Sequence, residues 1–297
     1  MEPEVEDYVV AVRGVSHCFG RKAALDDVSL DVRRGQVFGL VGENGAGKTT
    51  LLHHLIGAHV PKTGSVRVFG LDPVKHPAPV LERIGYLSED RDLPLWMRVG
   101  ELMHYMQAFY PGWDESYAER LRADFGLDAR VRVRNLSRGE KARAALLVAL
   151  AHRPALLLLD EPSSGLDAIA RQEILGAVVR TVAEEGRTVI FSSHLLDEVE
   201  RVADHVAMLH AGRVTLDMPM DALKARHRKY VLRWPEAQAT LPILPGVIGA
   251  TGEGCEWGVI CEGEEDLLAS VLSATGGEII ESSVPTLETI FLARAAL

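Results

Sequence analysis

A glycine-rich loop constrains the fold of this chain more than any other feature of its sequence. Residues 42–50, GENGAGKTT, fit the pattern G-x-x-x-x-G-K-[ST]. An apolar run at residues 37–41 precedes the loop, and a stretch with helical character, residues 49–56, follows it. A strand, a glycine loop and a helix in this order predict an α/β fold in which backbone amides and a helix N-terminus bind phosphate.

The loop predicts ATP and Mg²⁺ as cofactors. The Lys48 side chain is expected to reach the β- and γ-phosphates, and the Thr49 hydroxyl is expected to ligate Mg²⁺. An ordinary glycine turn is the alternative, and the strand and helix around the loop argue against it. The predicted nucleotide contacts in the loop are Gly42, Glu43, Asn44, Gly45, Ala46, Gly47, Lys48, Thr49 and Thr50.

Two adjacent carboxylates, Asp160 and Glu161, follow the apolar run at residues 155–159. Ligands bind in open α/β sheets at the carboxyl ends of the strands, which is where these side chains are expected. Asp160 is therefore a candidate metal ligand, and Glu161 is a candidate for orienting the attacking water. An apolar run that ends in Asp-Glu is weak evidence alone and becomes strong downstream of a phosphate-binding loop.

The segment LSRGE, residues 136–140, precedes a helical stretch at residues 141–152. Ser137 and Glu140 have the S-x-x-E spacing of a capping box, so a well-capped helix is the simplest interpretation. Its position between the glycine loop and the Asp160-Glu161 strand suggests a second role.

The order of the predicted strands, helices and turns along the chain indicates two domains. Antiparallel strands come first, and a helical segment follows at about residues 95–153. Apolar runs that alternate with helices indicate a parallel sheet covered on both faces. After about Leu216 three proline-containing turn signals appear: Trp234-Pro235, Leu241-Pro242 and residues 244–246. Residues 1–216 are predicted to be the nucleotide-binding domain and residues 217–297 a small α+β accessory domain.

Charge, cysteine usage and the length of the apolar runs limit the kinds of binding partner that this chain is expected to have. The net charge is −10, from 42 acidic and 32 basic residues, and an acidic surface repels nucleic acid, so no nucleic-acid partner is expected. The three cysteines favour free thiols in a reducing cytoplasm. No apolar run approaches the roughly 20 residues of a membrane-spanning helix, so any membrane role is expected to come through a partner.

Together these motifs resemble, in order and over roughly residues 9–214, those of an ABC (ATP-binding cassette) ATPase. The resemblance implies a RecA-like P-loop NTPase core with an antiparallel β subdomain and an α-helical signature subdomain. LSRGE stands at the place of the signature, and Ile84 to Glu89 stands at the place of the Q-loop. The resemblance also implies the remaining site residues. Phe19 would stack on adenine, Glu89 would contact both nucleotide and metal, and Ser137 and Gly139 would contact the γ-phosphate. Asp167 stands in the D-loop and His194 is the switch histidine, and the implied catalytic residues are His194, Lys48 and Glu161.

Two motifs, the Q-loop and the signature, depart from the family pattern. Glu89 replaces the usual Gln; its carboxylate can approach Mg²⁺ but adds negative charge beside the γ-phosphate. Arg138 and Glu140 stand in the signature where Gly and Gln are usual, whereas Ser137 and Gly139 are intact. Arg138 either tunes an interface or points to solvent, and solvent is the favoured alternative.

In the family two cassettes pack head to tail, so the resemblance implies a second cassette, identical or paralogous, and a membrane-spanning transporter subunit. Residues 109–114 and 285–292 are similar to single-cassette subunits of bacterial drug and antibiotic exporters. The expected location is cytoplasmic, peripheral on the inner face of the cell membrane. The alternatives are a soluble ABC ATPase acting on nucleic acid or ribosomes, and an unrelated P-loop kinase, which leaves the signature unexplained.

Overall fold

The computed structural model describes residues 8–238, 240–263 and 265–295, without the side chains of residues 181–185, 265–267 and 295. The chain divides into two compact units, Met1–Asp217 and Met218–Leu297. The first unit contains the glycine loop and the Asp160-Glu161 pair.

The first unit contains two sheets. Strands β1, β2 and β4 form an antiparallel sheet in the order β2-β1-β4. The other sheet has six strands in the order β5-β6-β7-β3-β8-β9. The strands in chain order are β1 Tyr8–Phe19, β2 Lys22–Arg33, β3 Val37–Val41, β4 Thr63–Val68, β5 Ile84–Leu87, β6 Leu156–Asp160, β7 Thr188–Ser193, β8 His205–His210 and β9 Arg213–Pro219.

The core of the six-stranded sheet is parallel, because β5/β6, β6/β7, β7/β3 and β3/β8 all pair in that sense. Every residue of β3, β6 and β7 is buried, as a sheet covered on both faces requires. Their apolar sequences predicted this arrangement, and the predicted α/β class is confirmed. The carboxyl ends of β3, β6 and β7 therefore meet at one edge.

Helices connect these strands. Three of them, α3 to α5, fall within the segment expected to be helical, and α1 begins at the glycine loop. The helices of the unit are α1 Lys48–Leu55, α2 Pro77–Leu81, α3 Val99–Gln107, α4 Glu115–Asp124, α5 Arg138–Leu150, α6 Ala168–Glu185 and α7 Leu196–Val202, with a 3₁₀ turn at Val133–Asn135.

The second unit is a three-stranded antiparallel sheet with helices. Its elements are α8 Met220–Arg226, β10 His227–Gln238, β11 Val247–Glu262, α9 Glu265–Ala274, β12 Glu278–Ser283 and α10 Leu287–Ala295. The strand order is β11-β10-β12. Tyr230, Leu232 and Trp234 of the central strand share a buried core with Leu268 and Leu272 of α9.

One turn signal in this unit was wrong: Trp234-Pro235 lies inside β10. Pairing of β10 with β12 ends at Arg233, and its pairing with β11 shifts between Arg233 and Gln238. Pro235 therefore sits at an irregularity of the ladder, where a missing backbone N–H removes no cross-strand hydrogen bond.

Candidate functional site

The glycine loop connects β3 to α1 at the edge where the parallel strands end. Gly47 precedes the helix with φ 111°, and a Cβ built there would lie 2.4 Å from the Ala24 carbonyl oxygen. Only glycine fits both the left-handed backbone and the space. The loop thus turns tightly and leads directly into the N-terminus of α1, and a helix N-terminus that follows a glycine loop favours an anion.

The Lys48 side chain is held in place by backbone carbonyl groups of the glycine loop. Its Nζ donates to the carbonyl oxygens of Gly42 at 2.7 Å and Glu43 at 3.3 Å. The side chain is only 6% exposed, so the ammonium is fixed in position instead of free in solvent.

A cleft of about 330 Å³ opens beside the loop. It combines loop residues with an exposed aromatic ring and two carboxylates, which come from three separate parts of the chain. The lining residues are Phe19, Lys22, Ala24, Asn44, Gly45, Gly47, Lys48, Thr49, Thr50, Glu89 and Glu161. The structure therefore brings together Phe19, Glu89, Glu161 and six of the predicted loop residues, and adds Lys22 and Ala24.

Glu161 lies at the centre of a charged chain. Lys48 Nζ is 3.0 Å from Glu161 Oε1, and His194 Nδ1 is 2.7 Å from Glu161 Oε2. Glu161 is 5% exposed, whereas His194 is 40% exposed. A buried carboxylate between an ammonium and an imidazole is held in one orientation by both neighbours.

One hydroxyl of β7 organises both carboxylates of β6. Ser192 Oγ donates to Asp160 Oδ1 at 2.6 Å and accepts from the Glu161 N–H at 2.9 Å. Ser192 and Asp160 are 0% and 1% exposed. Sequence reasoning missed Ser192, which directly follows the apolar residues 189–191 in the buried strand β7.

A second buried carboxylate, Glu198 of α7, links the loops beside the site. Its Oε2 accepts from Ser163 Oγ at 2.5 Å and from Ser193 Oγ at 3.5 Å, while Arg171 Nε lies 3.1 Å from Oε1. Burial raises the pKa of Glu198. Ser163 follows Glu161 by two residues and Ser193 directly precedes His194. The hydrogen bonds of Glu198 therefore connect the segment that bears Glu161 to the segment that bears His194.

The remaining predicted residues have other places. Gly42, Glu43 and Ala46 belong to the loop but are not among the described residues that line the cleft. Ser137 and Glu140 form the predicted capping box of α5, with both hydrogen bonds present.

Gly139 lies in the first turn of α5, and Asp167 Oδ1 accepts from the Ala170 N–H at 2.9 Å at the start of α6. Ser137, Gly139 and Asp167 are absent from the cleft lining of the described residues, as are Asp160 and His194. Arg138 is exposed as expected, but its guanidinium lies against Gly165 and not only in solvent.

A parallel sheet with a phosphate-binding loop after one strand and a carboxylate pair after another defines the class of P-loop nucleoside triphosphatases. Residues 25–164 match the family described as ABC transporter. The ABC transporter ATP-binding protein YtrB of Bacillus subtilis is 32% identical over 221 residues, 74% of this chain and 75% of that protein. The bacitracin transport ATP-binding protein BcrA of Bacillus licheniformis is 31% identical over 225 residues, 75% of this chain and 74% of that one.

A solved structure of an ATP-binding subunit of an ABC transporter superposes with a TM-score of 0.67 at 28% identity, and the match covers 73% of this chain and 92% of that one. The chain belongs to the ABC transporter family: it is an ATP-binding subunit, an ATPase coupled to transport. Among the helices in the described parts of the chain, none is long and apolar enough to span a bilayer.

Proposed function

We propose that this chain hydrolyses Mg²⁺-ATP in the cleft beside the glycine loop and, paired with a second cassette, drives a membrane-spanning subunit that exports its substrate. The observation that carries the proposal is the chain of contacts from Lys48 through Glu161 to His194. It joins a phosphate-binding cation, a carboxylate and an imidazole at the edge of the cleft.

In this proposal Glu161 positions the water that attacks the γ-phosphate in line. Lys48 and the loop amides stabilise charge on the phosphate oxygens, and His194 contacts the γ-phosphate while it orients Glu161. Phe19, which is 53% exposed at the cleft, offers a ring face for stacking on adenine.

The residues fit Mg²⁺. This ion prefers oxygen ligands and is usually held by one or two carboxylates together with waters and substrate phosphates. Thr49 and Glu89 line the cleft, and Asp160 adjoins Glu161, so these three residues would hold the ion with the nucleotide. When bound, Mg²⁺ would neutralise negative charge on the phosphate groups. Among the described residues no cluster of three His, Cys, Asp or Glu could hold a metal alone, in keeping with a site that needs the nucleotide.

The second cassette would complete the site. Ser137 and Gly139 lie at the N-terminus of α5, where the helix dipole and free amides favour an anion. They are outside the cleft of their own chain, so we propose that they meet the γ-phosphate bound by the other chain, with Asp167 at the same interface. The partner cassette is a second copy or a paralogue.

The membrane partner and the direction of transport extend this proposal. A location on the cytoplasmic, inner face of the cell membrane follows from an ATPase subunit that binds a membrane-spanning subunit. Export is supported by the similarity of residues 109–114 and 285–292 to exporter subunits, and the bacitracin transport protein BcrA is among the relatives.

The test is Glu161→Gln, with Glu256→Gln in the second unit as the matched carboxylate-to-amide control. We expect turnover to fall about a hundredfold or more with ATP binding retained, because only the transition state needs the carboxylate. Light scattering with ATP and magnesium should show a stable dimer of the Glu161→Gln chain. Turnover within twofold of the parent would remove Glu161 from its role, and a monomer under these conditions would refute self-pairing.

A further inference from the structure

The turn that follows Glu161 is held from outside by Arg91. This side chain donates from Nη2 to the carbonyl oxygens of Ser164 at 2.8 Å and Pro162 at 3.1 Å. The guanidinium therefore binds the backbone of the turn at two points, and it does so from the segment that follows β5.

The turn needs such support because its backbone is strained. Glu161 has φ 46°, in the left-handed region that disfavours residues with a Cβ. Its carbonyl accepts from the Ser164 N–H at 3.0 Å, which closes the turn. A change in the turn would rotate the Glu161 backbone and so displace its carboxylate.

Arg91 is itself fixed. It has φ 50°, and its N–H donates to the Ser88 carbonyl oxygen at 3.1 Å in a turn that includes Glu89. Glu89 lines the nucleotide cleft and lies 3.5 Å from Ser164 Oγ. The segment that lines the cleft thus also contacts the turn after Glu161.

A further arginine lies on the same turn. A Cβ built on Gly165 would be 2.1 Å from the Arg138 guanidinium, so this side chain is packed directly against Gly165. Glu89 and Arg138, one residue from each of the two motifs that depart from the family pattern, therefore meet with Arg91 at residues 162–165.

We propose that Arg91 is a positioning residue for hydrolysis: by binding the carbonyls of Pro162 and Ser164 it keeps the Glu161 turn, and hence the carboxylate, in register with the nucleotide. The proposal rests on the role proposed for Glu161. It assigns Arg91 an effect on turnover and not on nucleotide affinity, because Arg91 itself does not line the cleft described here.

The test compares Arg91→Ala and Arg91→Lys in the full chain. Arg122→Ala is the control, because Arg122 also donates to a backbone carbonyl, that of Leu127, but in the helical segment. We expect Arg91→Ala to lower kcat about tenfold, since small displacements of reacting groups are costly. KM for ATP and the affinity for a fluorescent ATP analogue should change less than twofold. Lysine should restore part of kcat, and the Arg122 variant should keep it within twofold.

An unchanged kcat in Arg91→Ala would overturn the proposal. So would equal losses of kcat and analogue affinity, because these would indicate general damage to the cleft. If Glu161→Gln also keeps its turnover, the role of Glu161 is what fails; if Glu161→Gln is inactive and Arg91→Ala is normal, only the assignment of Arg91 fails.

Discussion

Replacing Ser192 with alanine should damage both stability and turnover, because one buried hydroxyl serves two site residues. The change removes a donor to the Asp160 carboxylate at 2.6 Å and an acceptor for the Glu161 N–H at 2.9 Å. A hydrogen bond to a charged group contributes about 1.5–3 kcal/mol and a neutral one about 0.5–1.5 kcal/mol. We therefore expect the free energy of unfolding to fall by about 2–4.5 kcal/mol.

Turnover should fall as well, by about tenfold, because Asp160 and the Glu161 backbone both lose a fixed partner. Thr188→Val is the matched control on the same strand, since the Thr188 hydroxyl accepts a partly buried hydrogen bond from the Gly35 N–H at 3.0 Å, at the other end of β7 from the carboxylates.

The control should lose about 0.5–1.5 kcal/mol and keep its turnover. Urea unfolding followed by circular dichroism and steady-state ATPase assays measure the two effects. A Ser192→Ala chain within 0.5 kcal/mol of the parent (a cut-off at the low end of one hydrogen bond) and fully active would refute the reasoning.

Two further perturbations test the loop and its surroundings. Gly47→Ala should abolish ATP binding and lower the melting temperature, because the added Cβ would lie 2.4 Å from the Ala24 oxygen at φ 111°; normal nucleotide binding by this variant would contradict the loop geometry. Burial lowers the pKa of His54 from 6.5 to about 4, with a smaller contribution from the charges of His17, His59 and His53. Between pH 4 and pH 6.5 the native state therefore binds fewer protons than the unfolded chain. Stability should therefore fall by up to about 3 kcal/mol as pH drops from 6.5 to 4, and His54→Leu should flatten the unfolding-against-pH curve.

The sequence predicted those secondary-structure elements that are determined by residues close together in the chain. The continuous apolar runs before Gly42 and Asp160 predicted buried parallel strands, because only a sheet covered on both faces accommodates them. The S-x-x-E spacing at Ser137 predicted the cap of α5, since both of its hydrogen bonds join residues three apart. Strand β10 was missed because Pro235 breaks the local pattern, while pairing on both sides of the strand holds it in the sheet.

Long-range contacts were the part that the sequence could not supply. The motif order placed Lys48, Glu161 and His194 in one region, but the 3.0 Å and 2.7 Å contacts that join them depend on strand order. Arg91 illustrates the same limit: its partners lie 71 and 73 positions away, and neither spacing nor periodicity indicates them. Arg138 is exposed, as expected, but it also covers Gly165, because the turn after Glu161 passes beside α5.

The placement of Glu161 explains why so many of these contacts converge there. Its left-handed backbone is unfavourable for a residue with a side chain, so surrounding elements must hold it in that conformation. Ser192 binds its N–H, Lys48 and His194 bind its carboxylate, and Arg91 binds the turn that follows. These contacts come from β7, the glycine loop, the segment before α7 and the segment after β5. A movement of any one of these elements would displace the same carboxylate, so the role proposed for Glu161 would respond to nucleotide at the glycine loop and to movement of the segment after β5.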